Sequence, residues 1–132
     1  VYIPKDNHII QEIRKQTQEI FIPTRTIITR WFNILNEEIF NNTIHPFYEI
    51  EIKRKQGCHA EHIPLEDGCG NIYATLSINE NFINKNEFLY TLAHEMIHQW
   101  QWMELNQSDH GKTFWKWKSK LAQFEIPLGV SI

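Results

Sequence analysis

At 132 residues, with 42% hydrophobic and 22% charged side chains, the chain has the size and make-up of one ordinary globular domain, read as spanning residues 1–132. It has no apolar run approaching about 18 residues and no signal-peptide pattern, so neither a membrane-spanning helix nor a secretory leader is expected. A formal net charge of −3 removes any global reason to expect nucleic-acid binding, which would need a local patch.

Two cysteines without a leader point to a reducing, intracellular setting, cytoplasmic or nuclear. The opening Val1, in place of a methionine, suits a trimmed or excerpted start. Across residues 6–21, Ile9, Ile10, Ile13 and Ile20 recur at helical spacing, and Pro23 closes the segment. A second helix is predicted over residues 24–40, with Thr24 as N-cap and an apolar stripe of Ile27, Ile28, Trp31, Ile34, Leu35 and Ile39. Asn41, Asn42 and Thr43 break that pattern.

Residues 47–54 switch to period two, Tyr48, Ile50 and Ile52 against Glu49, Glu51 and Lys53, which reads as a half-buried strand. Residues 56–70 read as irregular, with Gly57, Pro64, Gly68 and Gly70 as turn makers. Alternation resumes over residues 72–78, so two or three strands form a small antiparallel or mixed sheet. Cys58, His59, His62 and Cys69 read as ordinary loop residues, with a structural zinc site and a Cys58–Cys69 disulfide as the alternatives.

Asn84, with Glu87 three residues on, has the form of a capping box ahead of a helix reaching about residue 103. That helix carries His94, Glu95 and His98 in a His-Glu-x-x-His pattern. Residues four apart lie about 40° from one another around a helix, so both imidazoles can reach one ion. Glu95 then points beside the ion, where a general base on water belongs. Leu89, Leu92, Ala93, Met96 and Trp100 form the opposite face, which can be buried without disturbing the ligands.

A hydrolytic zinc site wants three protein ligands and an open position. Metzincin spacing fails, because Gln101 and Glu104 stand where glycine and histidine would be, and Glu125 lies too far along to act as a downstream glutamate ligand. His110 remains, beyond a polar connection over residues 104–109, in the run Ser108, Asp109, His110, Gly111. Its place at the start of a final helix favours neutral, ligating imidazole; the alternative is a surface histidine in a turn. The final helix is predicted over residues 111–124, with Phe114, Trp117, Leu121 and Phe124 as its buried stripe. Lys112, Lys116 and Lys120 recur every four residues on another face, flanked by Trp115. Such a row is ordinarily a solvated face, and it also suits phosphate contact with base stacking, which makes single-stranded DNA a candidate partner.

Residues 91–100, followed by His110, Gly111, Lys112, Thr113, Phe114 and Trp115, resemble the SprT-like metallopeptidases. Residues 35–40 make a second block, and the Gly57-Cys58 loop with residues 70–72 and 76–79 makes a third; the resemblance covers roughly residues 24–122. It implies a zincin-like α+β metallopeptidase domain, with N-terminal helices, a small sheet, the active-site helix and a C-terminal helix. It implies one zinc ion held by His94, His98 and His110, with Glu95 as catalytic base. It also implies peptide-bond hydrolysis by Glu95-assisted attack of water on zinc, in some members directed at proteins bound or crosslinked to DNA. Strand 72–78 is the expected aligner of substrate backbone by strand addition. The competing class is a zinc-stapled module that binds protein or nucleic acid with little or no hydrolysis. The retained Glu95 counts against that class, since a purely structural site needs no base.

Overall fold

The computed structural model describes residues 3–129. Asn7 opens helix α1 (His8–Arg14), its side chain accepting from the Ile9 and Ile10 amides. The helix buries Ile9, Ile10 and Ile13 and then stops, seven residues short of the expected end. Gln16 sits in the left-handed region at φ 47°, which no helix continues through. Ile20 is consequently 71% exposed, and Phe21 instead exchanges backbone hydrogen bonds with Phe82.

Helix α2 (Arg25–Glu38) starts at Thr24, whose hydroxyl accepts from the Ile27 amide as the sequence predicts. It buries Ile28, Trp31, Phe32 and Leu35, and Asn41 and Asn42, both left-handed, end the run. The sheet contains β1 (Glu49–Lys53), β2 (Ala60–Glu66) and β3 (Ile72–Asn79) in the order β1-β3-β2. β1 runs parallel to β3 with Ile50 opposite Leu76, and β2 runs antiparallel to it with His62 opposite Leu76. β3 is therefore the centre, and Ala74, Thr75, Leu76, Ser77 and Ile78 are all buried.

β2 lies inside the stretch expected to be irregular. Pro64 read as a turn maker, yet β2 is an edge strand, and an edge tolerates a residue without an N–H. Helix α3 (Lys85–Trp100) begins where Asn84 accepts from the Glu87 amide. Its Phe88, Leu89, Leu92, Ala93, Met96 and Ile97 join α1, α2, β3 and the C-terminal helices in one apolar cluster. The α-helical pattern ends at Trp100; a five-residue π turn (Gln101–Leu105) follows, closed by left-handed Asn106. The expected last helix is two short ones, α4 (Lys112–Trp115) and α5 (Lys118–Gln123). The secondary structure is thus α+β, and no helix among the described residues is long and apolar enough to cross a membrane.

Candidate metal centre

His94 and His98 stand one turn apart on α3, and the loop after the π turn brings His110 back beside them. Their Nε2 atoms form a triangle: 3.2 Å from His94 to His98, 3.2 Å from His98 to His110 and 3.4 Å from His110 to His94. Three neutral imidazoles cannot satisfy three such contacts by donating to one another once their Nδ1 atoms hold the protons. The triangle does match a tetrahedral ion, whose bonds of about 2.0–2.1 Å to nitrogen set the ligands about 3.3 Å apart. Among the described residues this is the one group of three or more His, Cys, Asp or Glu side chains that could hold a metal ion.

Phe114 supports all three rings. His98 stacks on it at 5.1 Å with 23° between planes, while His94 and His110 meet it edge-on at 4.9 and 4.7 Å. Burial favours neutral, ligating imidazole. It pushes His94 down to about 3 and His98 to about 4, helped by the neighbouring imidazoles and opposed at His98 by its hydrogen bond to Gln101. Among the described residues no group meets hydrogen-bond geometry at His94 Nδ1, although the Gly129 backbone lies close enough to raise its basicity.

Glu95 is 3% exposed, and its Oε2 has no hydrogen-bond partner among the described residues. Burial, with a smaller push from the Glu61 charge, raises its carboxyl from 4.5 to about 8. An uncompensated carboxyl of this kind calls for a cation or a proton. Glu95 and the three histidines share a cavity of about 360 Å³, whose rim carries Cys58, Glu61, His62, Ser108 and Asp109.

Several further groups stand at this site without a signal in the sequence motifs. Glu61 projects from β2 and pairs with Lys55 at 2.7 Å. His62 Nε2 meets Gln99 Oε1 at 2.9 Å, and the Gln99 amide nitrogen donates to the carbonyls of His45 and Pro46. Those two acceptors fix the amide's orientation, so His62 carries its proton on Nε2. His98 Nδ1 meets Gln101 Oε1 at 2.8 Å. The only signal for Gln101 in the sequence was its i, i+3 spacing from His98.

Other expectations resolve differently. Cys58 and Cys69 are both free thiols, His59 packs against Phe82 at 5.5 Å, and His62 faces the three-histidine cavity, so the four form neither a second metal cluster nor a disulfide. Strand 72–78 cannot take up a substrate strand, because β3 is paired on both sides. The edge that lines the cavity is β2, through Ala60, Glu61 and His62. The break between α4 and α5 interrupts the regular row of Lys112, Lys116 and Lys120. Lys116 Nζ lies 4.4 Å above the Trp100 ring, Lys120 is half-buried, and neither these three lysines nor Trp115 lines the cavity.

Compared with known proteins, residues 28–131 match the model of the SprT-like family. No individual curated protein matches the chain.

Proposed function

This chain belongs to the SprT-like family, and we propose that it is a zinc-dependent metalloendopeptidase. The observation that carries the reading is the triangle of His94, His98 and His110 Nε2 atoms with the buried Glu95 carboxyl in the same cavity, its Oε2 without a partner among the described residues. An all-imidazole donor set of this size suits zinc. Bound there, zinc would supply Lewis acidity, polarising a carbonyl and acidifying water.

The chain's own residues account for the rest. Glu95 takes a proton from a water in the cavity onto its free Oε2 and returns it to the leaving amine. A neighbouring cation would draw its carboxyl back down from about 8, towards the range in which a base works near neutrality. Substrate backbone would add as a strand to the outer edge of β2, which runs along the cavity through Ala60, Glu61 and His62. In this reading the fold is zincin-like, with α3 as the active-site helix and β2 as its substrate edge.

A metal-stapled binding module gives no reason to bury a partnerless carboxyl beside three histidines. Protein held on DNA is the extension of the substrate class that the family resemblance favours, with the lysine row as the candidate contact to single strands. The test of the peptidase reading is Glu95→Gln. Zinc content and melting should be retained while cleavage of an unfolded protein falls on the order of 10²-fold or more. Equal cleavage by the variant would remove Glu95 as the base, and a wild type inert on unfolded and DNA-bound protein would favour the binding module.

A further inference from the structure

Gln101 is fully buried in the π turn immediately after α3, and every polar atom of its side chain is engaged. Its Nε2 donates to Asp109 Oδ1 at 3.3 Å and to Thr113 Oγ1 at 2.9 Å. Its Oε1 lies 2.8 Å from His98 Nδ1. The Asp109 carboxylate oxygen only accepts, and Thr113 spends its hydroxyl proton on Gln107 Oε1 at 3.0 Å. The amide therefore has one orientation, with nitrogen toward the loop and oxygen toward His98. His98 Nδ1 must then carry the proton, which leaves Nε2 bare and aimed at His94 and His110.

Asp109 completes the chain of contacts. The same Oδ1 that receives Gln101 also accepts from the Gly111 amide at 2.9 Å, clamping the backbone on both sides of His110. One side chain thus spans a ligand on α3 and the loop that brings in the third ligand. Gln101 keeps α-helical geometry, its N–H bonded to the Ile97 carbonyl, so i, i+3 spacing sets it beside His98, while the π turn after it, closed by left-handed Asn106, redirects the chain toward His110.

We propose that Gln101 is the positioning residue of the metal centre: it sets the tautomer of His98 and couples that ligand to the His110 loop. This rests on the reading that the three histidines hold zinc. A hydrogen-bond partner on the far nitrogen of a ligating histidine fixes ring orientation, and losing one typically costs about 10–100-fold in metal affinity.

The experiment uses the full chain and zinc itself, measured by competition with a chelator. Gln101→Leu should bind zinc about 10–100-fold more weakly while its far-ultraviolet dichroism stays native. Gln101→Met fills nearly the same volume without an acceptor for His98, so it should weaken zinc binding to a similar degree, which a loss of packing alone does not predict. A measurement on the unmutated protein stands independently of whether Gln101→Leu folds. In the zinc-loaded wild type, long-range proton–nitrogen spectra should show His98 protonated at Nδ1. Protonation at Nε2 would overturn the proposal, as would unchanged affinity in a folded Gln101→Leu. A wild type that takes up no zinc would instead overturn the metalloenzyme reading, and this inference with it.

Discussion

Phe114 and His98 lie face to face, ring centroids 5.1 Å apart and 23° from parallel, and the other two imidazoles meet the same phenyl ring edge-on. A residue of α4 is thus the floor on which the histidine triangle rests. Phe114 is fully buried, so Phe114→Ala should destabilise the protein by about 3–5 kcal/mol, the usual cost of removing a core phenyl ring. The loss should fall on the site as well. At temperatures where the variant stays folded, zinc affinity should drop, whereas Leu121→Ala, a core truncation away from the imidazoles, should cost stability with little effect on affinity. Calorimetry with a zinc competition assay separates the two outcomes, and equal affinity losses in both variants would contradict the role given to Phe114.

The pH dependence of the metal-free protein follows from two opposed shifts. His94 and His98 are held below 6.5, at about 3 and about 4, so the unfolded chain binds more protons across that window. Their contribution to stability is present above 6.5 and is lost as pH falls toward 4 and 3. Glu95 works the other way. Raised from 4.5 to about 8, it favours the folded state below 4.5, and that contribution is lost as pH rises through 8. With a chelator present, Glu95→Gln should gain on wild type by a few kcal/mol between pH 5 and pH 9. Urea unfolding at both pH values measures this, and a pH-independent difference would show that Glu95 is not held protonated by burial.

The lysine row carries a separate prediction. If Lys112 and Lys116 contact phosphates, with Trp115 stacking on a base, a short single-stranded oligonucleotide should bind weakly and preferentially over duplex. Two such contacts give a slope of log affinity against log salt of about −1.4. Reversing both lysines to Glu should abolish binding and leave cleavage of a small free peptide unchanged, since neither residue lines the cavity. A fluorescence titration at low salt decides it. No binding, or binding indifferent to the reversals, would assign that face to solvent and the Trp100 cation–π contact.

Strong periodicity made much of this structure legible in the sequence. Helix α2, strands β1 and β3 and the start of α3 fall where their apolar spacing and the caps Thr24 and Asn84 indicate. The misses share a cause, backbone geometry that composition does not encode. Ile20 continues the spacing of α1, but Gln16 turns left-handed and the spacing ceases to mean a helix. Pro64 reads as a breaker only until β2 is known to be an edge. At the site, His94, His98 and His110 were legible because their types and spacing are chemically demanding, and they do come together. Gln101 and the Gln99–His62 pair were not, because their roles depend on the loop that returns through Asp109 to Thr113 and on strand β2, which only the fold supplies.

The central claim is that one zinc ion is held by His94, His98 and His110, and X-ray absorption at the zinc edge on protein loaded with one equivalent tests it most directly. The account predicts nitrogen and oxygen scatterers at about 2.0–2.1 Å, the multiple-scattering signature of three imidazoles and no sulfur. His110→Ala should remove one imidazole from that signature. A sulfur shell near about 2.3 Å, which would bring in Cys58 or Cys69, or an unchanged spectrum in His110→Ala would contradict it.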